Sequence, residues 1–232
     1  MKKQAPWGEL FAEFLGSMFL VMAAVAPTIM FVEVFETTKA VAVLANAIAV
    51  AFVLCALIEI FGSISGAHFN PVVTMIMLFE KKMGATKAAL FMLFQFAGGI
   101  TGAALSHLMF LGDIGSILAV SDDVRNEYVF FGEIFGTFIL ILAILLLVKK
   151  GSSKISVIIG LLVGGQIMST SSTMFANPQV TVARMFTNTV SGIRPIDGII
   201  FIGMQIIGAL LAYAVYRLLF ANKTYEEEKN PE

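Results

Sequence analysis

The sequence has few charged side chains. Asp, Glu, Lys and Arg together make up 13% of the 232 residues, and the formal net charge is −1. Binding to nucleic acid needs a basic surface that neutralises phosphates, so this charge balance argues against a nucleic-acid partner. Hydrophobic residues make up 58% of the chain, and the mean hydropathy is +0.90. A soluble domain could not cover its surface with so few polar groups, and the composition therefore indicates a membrane protein.

Cysteine and histidine are also scarce. The single cysteine, Cys55, cannot form a disulfide within the chain, and we interpret it as a small buried hydrophobe because it lies in an apolar run. One cysteine and two histidines form no cluster of the kind that binds a metal ion. No Ser/His/Asp set, phosphate-binding loop or dinucleotide fingerprint is recognisable. The sequence therefore predicts no catalytic group, no metal and no cofactor.

Six apolar segments approach the length of about 20 residues that a helix needs to cross a bilayer. The fifth is the weakest, because its C-terminal end turns into a run of serine and threonine. We interpret the first as a retained helix rather than a signal peptide, because it has no clear cleavage site. The six segments are residues 10–32, 40–61, 88–111, 128–148, 155–172 and 198–220.

Two further apolar stretches, residues 71–79 and 178–190, are too short to cross a bilayer, and each begins at an Asn-Pro pair. Segments of this length in a membrane protein are typical of re-entrant half-helices. Proline suits the first helical position, and asparagine is a good N-cap. The amides of Asn70 and Asn177 would then offer N–H donors to a lumen, where two opposed positive helix ends would repel a cation. The alternative is two ordinary N-caps in a soluble core.

The chain also repeats itself. Each repeat unit contains three predicted spanning helices, an odd number, so the second unit must lie inverted in the membrane, and the broken helices would meet at the midplane. The prediction is one domain over residues 1–232, with repeats at about 8–111 and 128–221 and a disordered cytoplasmic tail at 222–232. The matched residues are Glu13, Gly16 and Ser17 with Glu133, Gly136 and Thr137; Asn70, Pro71, Val73 and Thr74 with Asn177, Pro178, Val180 and Thr181; and Gln95, Gly98 and Gly99 with Gln205, Gly208 and Ala209.

Lysine and arginine are distributed unevenly between the two sides of this topology. Eleven of them fall on segments that share a side with the termini, and four fall on the opposite side. Because positive residues favour the cytoplasmic side, we expect both termini in the cytoplasm and a multi-pass protein of the cell (inner or plasma) membrane.

Two motifs, SISGAHFNPVVT at residues 63–74 and FANPQVTVAR at residues 175–184, resemble the two signatures of the major intrinsic protein family, which includes the aquaporins and aquaglyceroporins. The resemblance extends over about residues 9–220. It implies an all-α membrane protein with six spanning helices and two half-helices, a pore in each subunit, and a homotetramer in the lipid bilayer. It also implies that Glu13 and Glu133 brace the half-helices and that backbone carbonyls line the pore. The carbonyls are those of Gly66, Ala67, His68, Thr173, Met174 and Phe175.

The resemblance also locates a selectivity filter, and here the chain departs from the family. Counting along each motif without gaps places the four filter positions at Val50, Gly165, Met174 and Val180. Most of the family has arginine at the position of Val180, and water-selective members have histidine at the position of Gly165. An uncharged filter that contains glycine should be wider than a water-only filter.

Two polar residues near the second motif leave alternatives open. Arg184 lies one helical turn beyond Val180 on the same face, as in a bacterial subgroup with the pattern NPAVTxAR that is associated with uncharged solutes including arsenite. It is either a displaced filter cation or an anchor of the half-helix through a salt bridge or a carbonyl. Gln179 replaces the usual alanine and reaches either the lumen or a neighbouring carbonyl.

These features predict a passive channel for small neutral solutes: glycerol-like polyols, water and neutral metalloids such as arsenite. One alternative is a water-selective aquaporin with poor solute passage. The others are a transporter or ion channel that uses Glu59, Asn46 and Arg184, and a junction protein with a closed pore.

Overall fold

The computed structural model describes residues 6–229, with side chains described up to residue 221. Within these residues all regular secondary structure is helical, as the fold class predicted. The helices are α1 (Trp7–Ile29), which continues into a π-helical turn (Met30–Val34), α2 (Lys39–Ser65), α3 (Pro71–Phe79), α4 (Ala85–Met109), α5 (Leu111–Ile114), α6 (Glu127–Lys150), α7 (Ile155–Ser169), α8 (Pro178–Arg184) and α9 (Pro195–Lys229).

Five of the six predicted spans are long and apolar enough to cross a bilayer, and the sixth, α7, is shorter. Its 15 residues rise about 22 Å, less than the ~30 Å of a hydrocarbon core. The helix ends at Ser169, where the serine and threonine run begins, rather than at residue 172 as the sequence predicted. The weakest predicted span is therefore also the shortest helix of the six.

The two half-helices begin as the sequence predicted, but the second ends earlier. The side-chain oxygen of Asn70 accepts from the N–H of Val72 at 3.0 Å, and that of Asn177 accepts from the N–H of Gln179 at 3.2 Å. Helix α8 ends at Arg184 rather than at residue 190, because the chain folds back and the N–H of Ile193 donates to the Arg184 carbonyl.

The long helices pack in pairs that follow the repeat. Helix α1 packs along α4 and α6 along α9, while α2 packs against α7 across the repeats. Glycine permits the close approach: a Cβ at Gly98 would overlap the Phe14 carbonyl, and one at Gly208 would overlap the Ile134 carbonyl. The backbone of α9 includes residues 222–229, where the sequence predicted a disordered tail. Residues 230–232 of that predicted tail lie outside the described part of the chain.

Candidate pore

The two half-helices meet with their N-terminal ends facing each other, and each asparagine bonds to the opposite loop. Nδ2 of Asn70 donates to the carbonyl of Ala176 at 2.8 Å, and Nδ2 of Asn177 donates to the carbonyl of Phe69 at 2.8 Å. Each of these bonds uses one of the two N–H groups of an amide. Both asparagines border a central cavity, and the remaining N–H of each amide has no acceptor among the described residues.

Two buried glutamates hold the loops that precede the half-helices. Glu13 accepts from the N–H groups of His68 at 3.0 Å and Phe69 at 2.8 Å. Glu133 accepts from the N–H groups of Phe175 at 2.9 Å and Ala176 at 2.8 Å. Because backbone N–H groups inside a membrane need acceptors, these bonds account for two carboxylates that are fully buried.

Two glutamines, which the sequence marked only as repeat residues, complete this network. Gln95 donates to Glu13 at 2.7 Å and to Thr74 at 2.9 Å. Gln205 makes the matching bonds, to Glu133 at 2.6 Å and to Thr181 at 2.9 Å. Their equivalent positions in the two repeats were the sequence signal that could have assigned them this role.

A single cavity of about 350 Å³ passes both asparagines. One of its ends is bordered by Lys82 and Val148, and the other by Arg184. Most of the remaining wall is aliphatic. All six residues predicted to contribute carbonyls border the cavity: Gly66, Ala67, His68, Thr173, Met174 and Phe175.

Of the four predicted filter positions, the structure brings three to the cavity and leaves Gly165 outside it. Val50, Met174 and Val180 border the cavity, whereas Gly165 is exposed and a Cβ there would meet no atom within 4 Å. Ile167 borders the cavity instead. Two residues along a helix rotate the side chain by about 200°, so counting without gaps selected the wrong face of α7.

Arg184 makes anchoring contacts and also borders the cavity. Its Nε donates to the carbonyl of Ser191, and its guanidinium carbon lies 3.6 Å from the centroid of the Phe175 ring. In the described part of the chain no carboxylate pairs with it, so the anchor is a carbonyl and an aromatic ring rather than a salt bridge. The residue is 6% exposed and borders the cavity, where its terminal nitrogens have no described protein acceptor.

A second cavity of about 180 Å³ adjoins the Arg184 end of the first. Three cations, Lys39, Arg125 and Arg184, border it together with one carboxylate, Asp123. Arg125 is held by the Gly192 carbonyl at 2.8 Å and by Asp123 at 3.1 Å. Sequence reasoning missed Arg125 as a site residue, because a loop has no periodicity that predicts where its side chains point.

The other polar residues weighed in the sequence have local partners. Glu59 accepts from Ser156 at 2.9 Å, and Asn46 borders both cavities while donating to the carbonyl of Ala24 at 2.9 Å. Gln179 reaches a carbonyl, that of Phe69 at 3.2 Å, and does not border either cavity. Cys55 is half-buried rather than buried.

Helical spans joined by two opposed half-helices, with a cavity beside the paired asparagines, define a membrane-channel fold. The chain belongs to the major intrinsic protein family, because the model of that family matches residues 1–176.

Relatives of the chain include proteins named as an aquaglyceroporin and as aquaporins. It is 38% identical to the aquaglyceroporin AqpS of Rhizobium meliloti (strain 1021), over 90% of this chain and 88% of that protein. It is 26% identical to aquaporin-4 of Mus musculus, over 94% of this chain and 68% of that protein. The X-ray structure of the aquaglyceroporin from Plasmodium falciparum has the same fold, with a TM-score of 0.68 at 21% identity, over 91% of this chain and 96% of that one.

Proposed function

We propose that this protein is a passive channel for water and small uncharged solutes of glycerol size, with neutral metalloid hydroxides such as arsenite as further candidates. The observation that carries the proposal is the cavity of about 350 Å³ that passes both Asn70 and Asn177 and extends towards both ends of the helices. The likeness to a protein named as an aquaglyceroporin supports it.

The chemistry of the cavity wall suits a polyol. The amides of Asn70 and Asn177 donate, and the carbonyls on either side of them accept, so a hydroxyl finds both kinds of partner. The aliphatic remainder of the wall suits the C–H face of the same molecule. An ion would lose its hydration shell here without receiving enough ligands in return.

We assign the selectivity filter to Val50, Ile167, Met174 and Val180, all of which border the cavity. None of the four has a charge or a hydrogen-bonding side chain. Arg184 is the cation nearest to this filter by sequence, one turn beyond Val180. Its unpaired terminal nitrogens face the chamber at that end, and it would repel cations before they reach the asparagines.

Val180→Arg tests the filter. An arginine in the aliphatic ring would narrow it and add donors that a water molecule can pass more easily than glycerol, so glycerol flux should fall more than water flux. Stopped-flow light scattering of proteoliposomes measures both solutes in the same vesicles, and urea and arsenite extend the panel. Val120→Arg, in an exposed loop, is the matched control. Equal loss of water and glycerol flux would contradict the assignment.

A water-selective channel is the second candidate, and one observation favours it. The filter position expected to be glycine is occupied by Ile167, and Met174 also faces the cavity, so the ring is more crowded than the sequence predicted. Wild-type vesicles that pass water but not glycerol would select this alternative.

The assembly and orientation are part of the proposal. We infer one channel domain over residues 1–232, a homotetramer, and both termini in the cytoplasm of the cell (inner or plasma) membrane. The excess of lysine and arginine on the side of the termini supports the orientation. Mass measurement in detergent tests the tetramer, and labelling of cysteines introduced in the loops tests the orientation.

A further inference from the structure

Gln179 makes a hydrogen bond from one half-helix to the loop before the other, and the equivalent residue of the first repeat makes no such bond. It is fully buried, and its Nε2 donates to the carbonyl of Phe69 at 3.2 Å. The same carbonyl accepts from Nδ2 of Asn177 at 2.8 Å, so both of its lone pairs are engaged. The other end of the Gln179 amide, Oε1, is buried and has no hydrogen-bond partner among the described residues.

The other repeat lacks this bond. Its equivalent position is Val72, which is buried among apolar side chains, and the carbonyl of Ala176 accepts only from Asn70 among the described residues. The unpaired buried Oε1 of Gln179 is destabilising. A glutamine at position 179 would therefore be unfavourable without the bond that its Nε2 donates to the Phe69 carbonyl.

Gly99 provides the room for this amide. A Cβ on Gly99 would overlap Oε1 of Gln179 and lie 3.2 Å from its Cδ. The equivalent of Gly99 in the second repeat is Ala209, which lies in the same apolar cluster as Val72. The two departures from the repeat, Gln179 and Gly99, therefore contact each other, and their equivalents share one cluster.

The peptide group of Phe69, whose carbonyl accepts this bond, has an unfavourable backbone conformation that needs stabilising contacts. Phe69 has a φ of 46°, in the left-handed region that side chains other than glycine rarely adopt. Two donors on its carbonyl keep this peptide plane from rotating. The orientation of Asn177 depends on the same carbonyl, because the bond to Phe69 determines where the second N–H of its amide points.

We propose that Gln179 is a positioning residue, enabled by Gly99, that fixes the Phe69 carbonyl and thereby the direction in which Asn177 offers its free N–H to a permeating molecule. This inference rests on the proposed function only in its last step, the effect on flux. The bond and its effect on the two residues are measurable without any transport.

The test replaces this pair by its equivalent from the other repeat. Gln179→Val combined with Gly99→Ala recreates the pair Val72 and Ala209, which already packs in this fold. Phe69–Asn70 is the only Phe-Asn dipeptide in the chain. Labelling with carbonyl-¹³C phenylalanine and ¹⁵N asparagine therefore selects that peptide in a solid-state NMR spectrum of the full-length protein in lipid.

We expect the Phe69 carbonyl resonance and the Asn177 side-chain resonance to shift in the double variant, and glycerol permeability to fall about fivefold, the factor that corresponds to one typical hydrogen bond. Gly99→Ala alone should shift the Phe69 carbonyl in the same direction, because it displaces the amide. Ala209→Gly, the opposite exchange in the other repeat, should leave the Phe69 carbonyl unchanged.

An unchanged Phe69 resonance in the double variant overturns the proposal. A shifted Phe69 with an unchanged Asn177 resonance overturns the positioning of Asn177. If wild-type vesicles pass no glycerol, the assigned solute is wrong while both resonances still report on the positioning, and water permeability then replaces glycerol as the flux measurement.

Discussion

The first repeat holds its half-helix loop with Glu13 and Gln95, and the second uses Glu133 and Gln205 for bonds to the matching atoms. The two repeats differ at the residues that face the cavity ends and the midplane. Arg184 borders one end of the cavity, whereas its equivalent in the first repeat is Met77, which borders the same cavity. The matched residues thus maintain the architecture, and the unmatched residues give each end of the channel its own chemistry.

Substitution of the two matched glutamates, Glu13 and Glu133, should lower the free energy of unfolding more than any other change considered. Glu13→Leu removes the acceptor of two backbone N–H groups, and an unpaired buried donor costs about 1–3 kcal/mol. Glu133→Leu removes the same number of backbone bonds, so both variants should lose several kcal/mol of folding free energy and fail to yield folded protein.

Thermal unfolding in detergent and the yield of monodisperse protein measure this loss. Glu59→Leu is the control, because Glu59 is exposed and accepts one bond from Ser156. A large effect at one glutamate and none at the other would show that the two loops are not held equivalently.

The matched glycines should differ, because their neighbours differ. A Cβ at Gly16 would overlap the ring of Phe69, which is fully buried and packs edge-on against Phe61. A Cβ at Gly136 would lie 2.8 Å from Cγ of Met174, a flexible side chain. Gly16→Ala should therefore destabilise the protein by about 1–3 kcal/mol, and Gly136→Ala by less.

Thermal unfolding again ranks these variants, and Gly165→Ala is the control because a Cβ added there would meet no atom within 4 Å. Gly136→Ala should also lower glycerol flux, because the added Cβ would displace Met174, which borders the cavity. Equal destabilisation at Gly16 and Gly136 would contradict the difference in packing.

The sequence predicted the parts of the channel that local rules determine. Asn70 and Asn177 are N-caps because each precedes a proline, and hydropathy located the spans. The filter residue on α7 was harder to predict, because it depends on the rotation of that helix about its axis. Ile167 rather than Gly165 borders the cavity. The partner of Gln179 could not be predicted either, because Phe69 lies 110 positions away in the chain and only the tertiary fold brings them together.

Replacing Arg184 by the residue at its equivalent position, Met77, tests its role. Arg184→Met removes one positive charge from the chamber that Arg125, Lys39 and Asp123 also border. A unit charge about 10 Å away contributes ~2 kcal/mol at an effective dielectric constant of about 20, so cation leak should rise about tenfold or more relative to glycerol flux.

Potassium efflux from proteoliposomes measures the leak. Arg194→Met is the control, because Arg194 pairs with Asp197 and borders neither cavity. An unchanged leak in Arg184→Met would leave this residue only its anchoring contacts with Ser191 and Phe175.

The smallest effect is expected when the bond made by Gln179 is added at its equivalent position, Val72. Val72→Gln combined with Ala209→Gly would place at positions 72 and 209 the pair that the chain has at positions 179 and 99, with the carbonyl of Ala176 as the acceptor. One added hydrogen bond contributes about 0.5–1.5 kcal/mol, which offsets only part of the cost of a second unpaired buried Oε1 and of a glycine inside α9. The double variant should therefore be slightly less stable than the wild type, with little change in glycerol flux. Val72→Gln alone should be less stable than the double variant, because Ala209 would leave the longer side chain no room. If unfolding in detergent ranks the single and double variants equally, the small residue facing position 72 does not control whether the amide fits, and the same argument fails for Gly99.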